Sequence, residues 1–270
     1  MRRKVIAVIC FLLGIFLCSY PLVSSQNEYH RQMAAVSTYK KSVEEKRNVE
    51  TAWQEAENYN AMLQKLNGRI VRQKTKQMLE EVPYEEILNL SGTGMMGVLE
   101  IPAINVNVPI YHGTKEDALS IGAGHVEGTA LPIGGKNNHC VLAGHRGLPS
   151  SKLFTRLDEM KTGDCFFLNV CGKTLAYQVE EIRVIRPENT EILEAETGKD
   201  LVSLITCTPY GLNTHRLVVT GKRAVYQREE KEKIQKNLPS IRELCFVLFP
   251  VVFFVLGLRK VTVKVRRKKD

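Results

Sequence analysis

Between Val98 and Thr220 the chain is cut into short alternating runs separated by Gly, Pro and Asn. Val98 to Ile101, Val106 to Ile110, Cys140 to Ala143, Cys165 to Val170, Leu175 to Val184, Leu201 to Thr206 and Leu217 to Thr220 all read as strands. Lys173-Thr174, after Cys171-Gly172, begins the far side of a hairpin, and Ser150 to Leu157 reads as a short helical stretch. Strands this short and this numerous suggest a closed or nearly closed β-barrel, so the fold is mainly β. Residues 27–66 differ. Val49, Trp53, Ala56, Tyr59, Leu63 and Leu66 recur at steps of three and four, which predicts one helix ending near Asn67-Gly68.

Charge decides the class of partner. The net charge is +9. Arg2, Arg3, Lys4 and the tail from Arg259 to Asp270 account for all of it, so residues 5–258 are formally neutral. A nucleic-acid binder keeps its excess on the folded body, so nucleic acid is excluded as a partner. The basic ends adjoin two apolar segments, Val5 to Val23 and Leu244 to Leu258. The first is long enough to cross a hydrocarbon core. The second contains Pro250 and as a helix rises roughly 22 Å, short unless Arg242, Arg259 and Lys260 snorkel; its other reading is a buried core helix. Basic residues on the outer flanks place both termini in the cytoplasm, giving a two-pass membrane protein whose body faces outward. A signal peptide cleaved near Ser24 and Ser25 is the alternative for the first segment and exports the body equally.

Cys140, Cys165, Cys171 and Cys207 lie in the exported body. Cys165 and Cys171 share one extended run, which would separate them by about 20 Å, too far for a bridge. A disulfide framework is therefore not expected, and a working thiol stays available at Cys207. That thiol ends the run Ser203-Leu204-Ile205-Thr206-Cys207 before a Pro/Gly turn, with Arg216 on the returning segment. His145 ends another apolar run, Leu142-Ala143-Gly144-His145. A thiol, an imidazole and a permanent cation are what thiol-based acyl transfer requires. They serve as nucleophile, proton carrier and oxyanion partner. Alternation puts Ser203, Ile205 and Cys207 on one face and Leu204, Thr206 and Thr208 on the other. All three functional groups sit near strand ends that can converge on one rim.

These segments resemble the sortases, the cysteine transpeptidases of Gram-positive surfaces, and within them the class C, pilin-polymerising group. Leu204-Ile205-Thr206-Cys207 is similar to the family's Leu-x-Thr-Cys signature. Thr208-Pro209-Tyr210-Gly211-Leu212-Asn213-Thr214-His215-Arg216 is similar to the class C run that ends at the essential Arg. Ala143-Gly144-His145-Arg146-Gly147-Leu148-Pro149 resembles the segment carrying the catalytic His, and Met96 to Pro102 and Pro109 to Thr114 resemble the first strands. The resemblance implies an eight-stranded sortase barrel with Cys207 forming a thioester, His145 as acid and base, and Arg216 steadying the oxyanion. It implies cleavage of an LPXTG-like sorting signal between Thr and Gly and transfer to a pilin lysine. Pilin subunits and the membrane are the implied partners, and neither a metal nor an organic cofactor is required.

Thr206, Tyr210 and Arg146 are assigned to substrate contact, and His112, His125, His139 and His215 to structural or surface roles. Two departures stand out: Ser203 replaces the usual Thr, and Val82-Pro83-Tyr84 stands where class C enzymes carry an Asp-Pro-aromatic lid. Pro83 and Tyr84 are accordingly expected to form a lid without its aspartate, with Tyr84 reaching Cys207. The resulting organisation is a membrane anchor (1–24), a helical segment (25–80), a lid-like segment (81–95) and the catalytic barrel (96–226). A charged linker (227–243), a second membrane segment (244–258) and a basic tail (259–270) follow. The rival readings are a sortase that attaches surface proteins to peptidoglycan and a non-catalytic membrane scaffold that retains the barrel.

Overall fold

The computed structural model describes residues 2–45, 48–65, 83–147, 153–234 and 252. Contacts divide the chain into one unit of Met1–Ser24 with Asn237–Asp270 and another of Ser25–Lys236. Helix α1 (Arg2–Glu44) covers the first apolar segment and runs on into the second unit. Among the described residues no helix is long and apolar enough to cross a membrane. The segment from Leu244 to Leu258 lies outside the described residues apart from Val252.

Eight strands close into a barrel in the order β1-β2-β3-β4-β7-β8-β6-β5. They are β1 (Met95–Ile101), β2 (Val106–His112), β3 (Ala123–His125), β4 (Asn138–Ala143), β5 (Cys165–Val170), β6 (Lys173–Ile185), β7 (Asp200–Thr208) and β8 (His215–Ala224). Every expected strand is present, and β3 is the one the sequence reading lacked. Closure leaves no exposed sheet edge to be protected. Two of the pairings, β2 with β3 and β4 with β7, are parallel, so each needs a crossover. The β2–β3 crossover carries α3 (Glu116–Leu119). The barrel interior is filled from alternate positions, among them Leu99, Ile110, Leu142, Phe166, Leu204 and Val219, all fully buried.

The single N-terminal helix expected over residues 27–66 is two helices. The first part belongs to α1, and α2 (Val49–Lys65) begins after Asn48, whose φ of 50° lies in the left-handed region. Asn tolerates that conformation better than most residues. The apolar stripe is real: Ala52, Ala56, Tyr59 and Leu63 are buried in the main core cluster. Asn60 joins them because Leu131 satisfies its amide in both directions, through N–H at 2.7 Å and carbonyl at 3.3 Å. The stretch near Ser150 to Leu157 supplies turns and a 3-10 turn at Leu157–Glu159; Ser150 lies outside the described residues. Downstream of the barrel, α4 (Arg228–Lys233) is held to it by Lys231, whose ammonium is 2.5 Å from Glu100 and 4.8 Å from the Phe167 ring centroid.

Candidate active site

Register brings two of the three candidate side chains together. In the β7–β8 hairpin Cys207 is directly opposite Arg216, which sets their Cα atoms about 5 Å apart with both side chains on one face. On the other side of β7 the parallel ladder with β4 pairs Ala143 with Ile205. It continues past the strand end, where Gly144 N–H donates to Ile205 at 3.0 Å. His145 and Cys207 each lie two residues further along their chains, His145 past the end of β4 and Cys207 within β7. Cys207 is a free thiol, partly accessible.

Each group is held from behind. The Arg216 guanidinium donates through Nη1 to the carbonyls of Asn213 (3.2 Å) and His215 (3.0 Å). Those bonds use one nitrogen of the guanidinium, which carries further N–H donors on Nε and Nη2. His145 accepts a backbone bond from Phe154 N–H at 3.1 Å, and its ring Nε2 lies 3.1 Å from Glu116 Oε2. Gly144 is required where it stands: a Cβ there would meet the Phe154 ring at 2.6 Å. Gly147 has φ of 84°, and a Cβ on it would meet the Tyr210 ring at 2.7 Å.

On the outer face of β7 lies a small packed apolar cluster. Val141, Leu193 and Val218 are buried in it, with Ile185, Ile192 and Ile205 packed against them. The 3-10 turn Glu191–Leu193, on the β6–β7 connection, packs into this cluster. A buried polar chain pins that connection. His139 lies 2.9 Å from the Glu194 carbonyl through Nδ1 and 2.8 Å from Ser203 Oγ through Nε2, and Ser203 in turn lies 2.8 Å from Thr220 Oγ1. Burial depresses the His139 pKa, against the hydrogen bond that its ring donates to the Glu194 carbonyl, which raises it. A neutral ring with Nδ1–H donating to the carbonyl and Nε2 accepting from Ser203 satisfies every partner. Ser203 thus has a defined structural role, and His139 is structural as expected.

The secondary assignments fare differently. Tyr210 is half exposed above Gly147 and borders the site. Arg146 has a 4% exposed side chain bound to Asp158 and, at 3.1 Å, to Thr208 Oγ1; it braces the strand end rather than presenting a charge to solvent. Thr206 is 2% exposed. Its hydroxyl donates to Gly144 O at 2.7 Å, so it supports the His145 backbone from the interior face and is not open to substrate.

The lid expectation is corrected. Pro83 is exposed and Tyr84 is buried. The Tyr84 hydroxyl lies 2.7 Å from His125 Nδ1 and accepts from Gly113 N–H at 3.1 Å. Its ring packs edge-on to His112 at 5.0 Å and against Tyr59 at 6.1 Å. Tyr84 is thereby engaged by α2, β2 and β3, and Cys207 is not among its partners. Val82 lies outside the described residues. His112, for its part, contacts the carbonyls of Gly94 and Ile87 at 2.8 and 2.7 Å, which fastens this segment to the barrel. Sequence reasoning missed Glu116, the His139–Ser203–Thr220 chain and the apolar cluster beside it, because each joins residues from separate elements. Among the described residues no cluster of His, Cys, Asp and Glu could hold a metal ion.

Comparison with known proteins agrees with this geometry. The family model described as Sortase domain matches residues 99–224. Sortase D of Bacillus subtilis is 32% identical over 130 residues, covering 47% of this chain and 63% of that protein. Sortase A of Streptococcus agalactiae is 33% identical over 117 residues, covering 42% and 47%. The chain thus spans less than two thirds of the length of these two curated relatives. Solved structures match more fully. Sortase C1 of Streptococcus agalactiae is 40% identical with a TM-score of 0.67, over 72% of this chain and 100% of that one. Sortase C of Streptococcus pneumoniae is 38% identical with a TM-score of 0.60, over 72% and 97%. Sortase C-1 of Actinomyces oris is 39% identical with a TM-score of 0.59, over 66% and 99%. With Cys207 paired to Arg216 in the β7–β8 hairpin of an eight-stranded barrel, the chain belongs to the sortases, a family of cysteine transpeptidases, and its structural neighbours are class C members.

Proposed function

We propose that this chain is a membrane-anchored transpeptidase that cleaves an LPXTG-like sorting signal between Thr and Gly and passes the acyl group to a pilin lysine. The direct pairing of Cys207 with Arg216 is the observation that carries the reading. The solved pneumococcal sortase C, 38% identical, is described in terms of its pilin substrate specificity, which supports the choice of acceptor. The two apolar segments with basic outer flanks support a two-pass anchor with the barrel outside the cell and both termini in the cytoplasm.

The Cys207 sulfur attacks the Thr carbonyl carbon as thiolate, its proton having passed to His145. The oxygen that becomes negative is met by Arg216 N–H groups, which stay charged throughout. The tetrahedral intermediate collapses as the C–N bond breaks, and His145 delivers its proton to the departing Gly amine. A thioester remains. The lysine amine of the next pilin attacks it, His145 takes the amine's proton, and the C–S bond breaks to return the thiol as the isopeptide forms.

Full-length chain incubated with a Leu-Pro-x-Thr-Gly peptide and a pilin bearing the acceptor lysine tests this. Mass spectrometry is expected to find an acyl adduct on Cys207 and an isopeptide-linked product, both lost in Cys207→Ala. No adduct refutes the thioester chemistry. An adduct that yields hydrolysis product but no lysine linkage refutes the pilin assignment alone.

A further inference from the structure

We propose that Glu116 is the positioning residue for His145, fixing its tautomer so that Nδ1 carries the lone pair used in proton transfer. A carboxylate can only accept, so the 3.1 Å contact between Glu116 Oε2 and His145 Nε2 puts the ring hydrogen on Nε2. In the neutral form of the ring the other nitrogen, Nδ1, then carries no hydrogen. An acyl transfer that begins by taking the thiol proton needs a ring nitrogen with a lone pair, and needs it in the same place at every turnover. Orientation by a third group is what makes a nucleophile–base pair reliable.

The support for Glu116 is stiffer than its exposure suggests. It opens α3, four residues long, on the crossover between the parallel strands β2 and β3. That crossover is tied at several points. Gly113 N–H donates to the Tyr84 hydroxyl at 3.1 Å, and Ile121 O accepts from Gln32 Nε2 of α1 at 2.8 Å. It also lies hard against β3. A Cβ on Gly124 would stand 2.3 Å from Gly113 O and 2.9 Å from Leu119 Cδ2, and one on Gly122 would stand 2.3 Å from Pro109 O. Only glycine permits that approach, which goes with the start of α3 reaching His145, two residues past the end of β4.

Competing charges near the ring are accounted for. Arg146 is bound to Asp158 and Thr208, and Arg216 Nη1 is bound to its own loop carbonyls. Because the Glu116 side chain is 74% exposed, solvent screens its charge, and its main effect is geometric. The kinetic consequence rests on the transpeptidase reading above; the tautomer does not.

Full-length chain with 15N-labelled histidine, its ring signals assigned with a His145→Gln variant, reports the tautomer by NMR without any substrate. The expected result is an Nε2–H ring at His145 that becomes a tautomer mixture in Glu116→Ala and stays Nε2–H in Glu116→Gln, whose amide oxygen still accepts. In peptide cleavage Glu116→Ala should lower kcat about two- to five-fold, the scale of an exposed contact, with KM unchanged and Glu116→Gln close to wild type. An Nδ1–H ring in the unmodified chain, or an Nε2–H ring untouched by Glu116→Ala, overturns the proposal whatever the activity. A kcat loss equal in the Ala and Gln variants overturns it too, because it would assign the effect to charge.

Discussion

Thr206→Val separates a support role from a substrate role at the residue beside the nucleophile. Val has nearly the shape of Thr, so packing at this 2% exposed position is kept while the hydroxyl is lost. What disappears is the 2.7 Å bond to Gly144 O, the carbonyl next to His145. Removing one partner of a buried hydrogen bond leaves the other unsatisfied, which costs about 1–3 kcal/mol. For a body of this size that corresponds to a fall in Tm of roughly 2–10 °C. The Gly144 backbone is still held by its N–H bond to Ile205, so the strand end should shift rather than unfold. A shift of part of an ångström at His145 should lower kcat roughly ten-fold. Urea unfolding and peptide cleavage on the same preparation check both halves. Thr206→Ser, which keeps the hydroxyl, should retain kcat. The reasoning fails if Thr206→Val is as stable as wild type and raises only KM, because the hydroxyl would then be meeting substrate.

Gly144→Ala should destabilise by about 1–3 kcal/mol and depress kcat, because its Cβ would meet the buried Phe154 ring at 2.6 Å; unfolding equal to wild type would contradict this. Arg216→Lys should cost roughly ten- to hundred-fold in kcat, since a single ammonium cannot keep both the loop carbonyls and the oxyanion. Tyr84→Ala should leave the rate of thiol labelling at Cys207 unchanged while costing stability, given that its partners are His125, Gly113, His112 and Tyr59. Burial holds the fully buried His125 at a pKa of about 4, below its unfolded value, and burial depresses His112 and His139 in the same direction. The unfolded chain therefore binds more protons, and stability present above about pH 6.5 should fall as the pH drops toward 4. His125 alone accounts for about 3 kcal/mol of that loss, and a urea midpoint that does not change across this window would refute it.

How much of this was legible depends on how far along the chain each contact reaches. Seven of the barrel strands announce themselves by alternation, a property of consecutive residues. The strand β3 does not: it is Ala123-Gly124-His125, too short to alternate, and it pairs only because Gly124 lets the crossover close over it. The Cys207–Arg216 pair is readable because a hairpin sets its register from the turn outward. His145 is readable as a strand end, but the parallel pairing of β4 with β7 that leads up to it joins residues 62 apart. Glu116 reaches His145 across 29 residues, and no spacing rule links them. Tyr84 shows the same limit from the other side. A Pro-aromatic pair upstream of a barrel looks alike whether the ring covers a thiol or fills a core. The difference lies in Gly113 and in His125, 41 residues on. The reacting groups ride on strand registers, which local pattern specifies strongly, while the residues that aim them come from crossovers and turns. A substitution in the crossover, invisible to any motif around Cys207, should therefore change the rate of the chemistry while leaving the Cys207–Arg216 hairpin intact.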